Sequence, residues 1–155
     1  MDAKRSPLRA TIVRPDPALP IQPFDLAMKV LLTTEAAGGA ISLVMGCHEP
    51  GEGPPDRIHF NREEMFFVVE GIYELTAGDQ TSTVGVGTMV LIPRNTEHHF
   101  RNVGDTTARI LDWSLPDGQD RYFKAICDLA AGDGFNCAQV MEMGEPLDAY
   151  FPAVH

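Results

Sequence analysis

Short runs of alternating apolar and polar residues, each closed by glycine or proline, set the rhythm of this chain. Ile41, Leu43, Met45 and Cys47 alternate with Ser42, Val44, Gly46 and His48, and this period of two predicts a strand over 41–47. Further strands are predicted over 28–34, 65–69, 72–76, 81–84, 89–92, 98–103 and 108–113, with turns at Ala37-Gly38-Gly39, Gly71 and Ala77-Gly78-Asp79. Many short strands at such spacing argue for an all-β sandwich or barrel rather than a βαβ fold. Phe66, Val68, Met89, Leu91 and Phe100 are the expected core or pocket wall. On the 41–47 strand the apolar row is expected to pack, with Cys47 as a small hydrophobe, and His48 on the more polar row is expected at the surface.

The two ends of the chain read differently. Residues 1–24 carry Pro7, Pro15, Pro17, Pro20 and Pro23, which favour an extended arm, with a possible edge strand at Thr11-Ile12-Val13. After Pro116 the period changes: Tyr122, Phe123, Ile126, Leu129 and Ala130 recur at helical spacing up to Gly132. A second short helix is expected from Asn136 to about Met143. The division is therefore an N-terminal arm over 1–24, a β-barrel over 25–116 and a helical segment over 117–155 that packs on it.

Composition narrows the partners. Twelve Lys and Arg against 22 Asp and Glu leave a net charge of −10 over 155 residues. Such a surface repels phosphate backbones and anionic lipid, so neither nucleic acid nor a membrane is expected as a partner. No apolar run reaches the ~18 residues of a membrane span, and no signal-like segment opens the sequence. Cys47, Cys127 and Cys137 are too few and too scattered for a disulfide framework, so a cytoplasmic location is expected.

Two spaced motifs carry the chemistry. The first contains Gly53, Arg57, His59, Glu64 and Gly71; the second contains Gly87, Pro93, Asn95, His98 and Asn102. At these spacings the chain strongly resembles the cupins, and its flanks (Thr33 to Gly39, Pro116 to Gly118) resemble the small quercetin-dioxygenase-like, cupin_2 type of single-domain barrel. The resemblance implies a double-stranded β-helix, the jelly-roll or cupin barrel, with short C-terminal helices. It also implies metal ligation by His59, Glu64 and His98. Asn95 stands where the family uses glycine, a mild change because Asn tolerates a left-handed turn. Arg57 stands where the family has its first histidine. A guanidinium has no lone pair to give a metal, so the family's four ligands fall to three. The hydroxyanthranilate dioxygenase branch is similar in using one histidine from the first motif, a glutamate and a later histidine.

Strand alternation supports the same set independently, because His98, Phe100 and Asn102 share one face, as do Glu64, Phe66 and Val68. Two imidazoles and a carboxylate in an apolar barrel suit Fe, Mn, Ni, Zn, Co or Cu and leave positions open for substrate or dioxygen. The expected activity is a metal-dependent oxidoreductase, a dioxygenase acting on a small aromatic or phenolic molecule, with isomerase, decarboxylase or lyase chemistry open on the same fold. Glu64 is the candidate catalytic base, and Arg57, Phe66 and Phe100 are the candidate substrate contacts. In the alternative, Arg57 neutralises Glu64, no metal is bound, and the barrel is a non-catalytic pocket in which Arg57 holds an anionic ligand. A homodimer is what the resemblance implies, with the arm covering a sheet edge.

Overall fold

The computed structural model describes residues 10–14, 19–21 and 26–116, together with 148, 150 and 152. Nine antiparallel strands form its frame: β1 (Leu19–Ile21), β2 (Ala27–Leu32), β3 (Ser42–His48), β4 (Glu63–Glu70), β5 (Ile72–Ala77), β6 (Gln80–Gly85), β7 (Met89–Ile92), β8 (His98–Asn102) and β9 (Ala108–Leu115). They divide into a six-stranded sheet ordered β1-β2-β3-β9-β4-β7 and a three-stranded sheet ordered β6-β5-β8. The all-β expectation holds, and each predicted strand from 28 to 113 is present within a few residues.

The chain passes from the larger sheet to the smaller one at Gly71, between β4 and β5. Gly71 has a φ of +83°, and a Cβ there would sit 2.5 Å from the Ala108 Cβ, so only glycine makes this tight crossing without displacing β9. Both sheets then turn their inner faces toward a core of Phe66, Val68, Tyr73, Leu75, Ile92, Phe100, Ala108 and Ile110. At the other end of the same face the residues are polar. Ser42 pairs with Ser114, and Ser114 pairs with Glu64 in the cross-strand register. Directly paired residues share a face, so this row lines the interior next to the apolar core.

Three expectations need correction. Residues 11–13 form no strand; the edge strand is Leu19–Ile21. Met89 and Leu91 are exposed, at 50% and 60%, while their neighbour Ile92 is buried, because β7 turns its even-numbered side chains inward. On β3 the assignment of faces is reversed: Ser42, Val44, Gly46 and His48 are buried, and Leu43, Met45 and Cys47 are only half-buried. The apolar row is the outer one, and with Val13 and Leu31 it lines a groove of about 1050 Å³ on the outside of the large sheet. The two expected helices, over 122–130 and 136–143, lie outside the described residues. Among the described residues no helix is long and apolar enough to cross a membrane.

Candidate metal centre

The loop before β4 is fastened to β8 by a two-bond bridge: Arg57 N–H donates to the His98 carbonyl and His98 N–H donates to the Arg57 carbonyl, each at 3.0 Å. This pairing carries Arg57 and His59 onto the interior beside His98, while β4 delivers Glu64 from the opposite sheet. Asn95 holds the β7–β8 turn in a left-handed conformation, φ 66°, and its N–H reaches the His59 carbonyl at 2.7 Å. The four side chains Arg57, His59, Glu64 and His98 are all buried.

They converge on one carboxylate. His59 Nε2 lies 2.9 Å and His98 Nε2 lies 2.6 Å from the same oxygen, Glu64 Oε2. The two remote ring nitrogens face carbonyl oxygens: His59 Nδ1 at 2.5 Å from Asp148 O, and His98 Nδ1 at 2.9 Å from Thr96 O. A carbonyl can only accept, so each Nδ1 is placed to donate to it and each Nε2 is turned toward Glu64 Oε2. A ring nitrogen this close to an anionic oxygen has a proton or a metal ion between the two.

The electrostatics set the charge of each group. Burial pushes the Glu64 carboxyl upward, but the Arg57 charge and the His59 and His98 contacts outweigh it and hold it well below the usual carboxylate range. Burial, helped by the Arg57 charge, lowers the His98 imidazole. The centre is thus an ionised carboxylate with a His98 ring that resists protonation, the state in which a metal ligand is needed.

The donors fit a divalent transition metal. The three ligand atoms lie within 4.8 Å of one another. Ligands at about 2.0–2.2 Å from one ion and roughly at right angles are separated by about 3 Å, close to the two Nε2–Oε2 distances. Carbonyl acceptors on both Nδ1 atoms are the kind of support that fixes a ligating imidazole in place.

Arg57 occupies the remaining side. Its Nη2 donates to Glu64 Oε1 at 2.9 Å, and its guanidinium carbon lies 5.8 Å from the Phe66 ring centre and 5.6 Å from that of Phe100. The structure therefore brings together the sequence-derived residues Arg57, His59, Glu64, Phe66, His98 and Phe100.

Several neighbours were not read from the sequence. Asp148, φ 61°, accepts from the Phe60 and Asn61 N–H groups and from the Asn61 side chain, clamping the turn after His59. Nothing local in the sequence signals this, because the two segments are 88 residues apart. Arg62 is buried with its Nη2 3.4 Å from His59 Nδ1; it shares the inward parity of Glu64. His48, expected at the surface, is fully buried, with Nδ1 2.8 Å from the Tyr73 hydroxyl. Burial and the Arg57 charge lower its pKa to about 4. His99 faces the other way and pairs with Asp56. Asn102 shapes backbone, its Nδ2 bonding the carbonyls of His48 and Thr106.

Two antiparallel sheets closed over a buried His–Glu–His set define an all-β barrel. More particularly, residues 45–114 match the family described as Cupin domain. Among curated proteins it is similar to Protein SchB of Streptomyces halstedii, 35% identical over 82 residues that make up 52% of this chain and 59% of the relative. It is also similar to Polyketide synthase CurC of Streptomyces cyaneus, 37% identical over 82 residues, 52% of this chain and 53% of that one. The matched stretch thus spans little more than half the length of these relatives. Among solved structures, a predicted oxalate decarboxylase of Thermotoga maritima superposes with a TM-score of 0.63 at 17% identity, covering 68% of this chain and 99% of the other. The polyketide cyclase RemF of Streptomyces resistomycificus superposes with a TM-score of 0.60 at 22% identity, covering 70% and 81%. These structures share the fold.

Proposed function

We propose that the protein is a metal-dependent enzyme acting on a small, oxygen-rich aromatic molecule of phenolic or polyketide type. The observation that carries this reading is the convergence of His59 Nε2 and His98 Nε2 on Glu64 Oε2, with both Nδ1 atoms against backbone carbonyls. His59, Glu64 and His98 would hold the ion, and the ion when bound supplies Lewis acidity to a substrate oxygen. Arg57 holds the carboxylate by Oε1, and Oε2 is the oxygen that faces the two imidazoles. Phe66 and Phe100 present apolar faces that orient a ring and exclude water. Glu64 is ionised and would be the acceptor for a substrate hydroxyl proton; its lowered pKa makes it a weak base, so the hydroxyl would need the Lewis acidity of the ion to give up that proton.

Phenolic substrates suit both dioxygenation, which a two-histidine, one-carboxylate set serves, and the ring-closing chemistry suggested by the relatives named for polyketide synthesis and cyclisation. The polyketide relatives favour ring closure. Elemental analysis of protein purified without chelator tests the metal, and oxygen uptake with a panel of catechols and flavonols separates the two reactions. One equivalent of transition metal and turnover without oxygen consumption are expected; metal-free protein that also refuses added Fe(II), Mn(II), Ni(II) and Zn(II) overturns the reading.

The buried Arg57–Glu64 pair favours a second reading, a metal-free pocket for an anionic ligand. Stabilisation by carboxylates that is indifferent to chelator would support it.

A further inference from the structure

We infer that His48 is a ligand-binding residue, whose Nε2–H donates to a ketone-type oxygen at the far edge of the aromatic molecule held at the His59–Glu64–His98 set. The inference rests on the functional reading above and adds a second polar contact to it. His48 is fully buried on the inner face of β3. Its ring leans back over Gly46: a Cβ at that position would lie 2.7 Å from Cε1 and 3.3 Å from Nε2, so the absent side chain makes the room the imidazole occupies. Tyr73 and Phe100 pack edge-on against it, with ring centres 5.6 and 5.3 Å away. The same Phe100 ring lies 5.6 Å from the Arg57 guanidinium carbon, so a single ring stands in contact range of both His48 and Arg57.

The hydrogen-bond chemistry fixes which atom is offered. The Tyr73 hydroxyl lies 2.8 Å from His48 Nδ1. A phenol is the stronger acid and an imidazole nitrogen the stronger acceptor, so the hydroxyl donates to Nδ1. The neutral ring then carries its proton on Nε2. Among the described residues that nitrogen has no hydrogen-bond partner, a condition rare for a buried polar atom and one that a ligand or an ordered water relieves. A donor at this place, across an apolar ring from the metal centre, selects a molecule with one oxygen at each edge.

The test compares hydroxytetralone with the tetrahydronaphthol that lacks only its ketone, by calorimetry on the wild type and on His48→Phe and His48→Gln. The wild type is expected to bind the ketone about tenfold more tightly. His48→Phe is expected to bring the ratio to about one, and His48→Gln, which keeps an N–H donor, to retain part of it. Nitrogen NMR shifts of the wild-type His48 ring are expected to place its proton on Nε2, a readout that stands even if a variant does not fold. The inference is overturned by a proton on Nδ1, by no ketone preference in the wild type, by binding of neither compound, or by a preference that survives in His48→Phe. Metal uptake measured on the same samples separates the two readings: metal bound without ketone preference removes His48 alone, and ketone preference without metal removes the metal centre alone.

Discussion

Arg57 and Glu64 form a buried pair: Arg57 Nη2 lies 2.9 Å from Glu64 Oε1, while the imidazole Nε2 atoms of His59 and His98 lie 2.9 and 2.6 Å from Oε2. The guanidinium holds the carboxylate in position and balances its charge, at the electrostatic cost of a cation beside the proposed metal centre.

Replacing that cation with a ligand should strengthen the centre. Arg57→His removes a positive charge and supplies a nitrogen lone pair on the same wall, so metal affinity is expected to rise on the order of tenfold or more. Competition with a chromophoric chelator measures it, and an unchanged or weaker affinity would show that position 57 does not face the ion.

Glu64 should matter to folding as well as to ligation. Glu64→Gln leaves the buried Arg57 charge without its counter-ion, which costs about 3–5 kcal/mol. The expected result is a lower urea midpoint together with metal affinity reduced by roughly a hundredfold. A variant that keeps its metal would remove the carboxylate from the ligand set.

Acid should destabilise the protein through His48. Its folded pKa is about 4 against an ordinary 6.5, so between those values the unfolded chain binds the extra proton. Stability is then complete above pH 6.5 and is lost as pH falls toward 4, by at most about 1.4 kcal/mol per pH unit for this one group. Urea unfolding across that range should show the slope, and His48→Phe should flatten it. The opposite sign would mean that His48 is charged in the fold.

Asn102 should act on the frame and not on the chemistry. Its side chain bonds the carbonyls of His48 and Thr106 and accepts from the Gly104 N–H. Asn102→Ala strands these buried groups and is expected to cost about 2–3 kcal/mol, read by denaturant unfolding, with metal stoichiometry unchanged.

Strand rhythm and the spacing of His59, Glu64 and His98 were legible without coordinates, because alternation is local: residues two apart on a strand share a face whatever packs against it. Alternation separates two faces but does not say which is inside. On β3 both rows carry apolar residues, and the richer one, Leu43, Met45 and Cys47, turned out to line an outer groove. That choice put His48 in the interior. The carboxylate oxygen that Arg57 takes and the Asp148 clamp on the His59 turn were equally beyond a one-dimensional reading. The sequence by itself determined which side chains could share a face. Only the closing of two sheets over one interior decided which faces meet, since contacts between distant segments depend on global register and not on neighbouring residues.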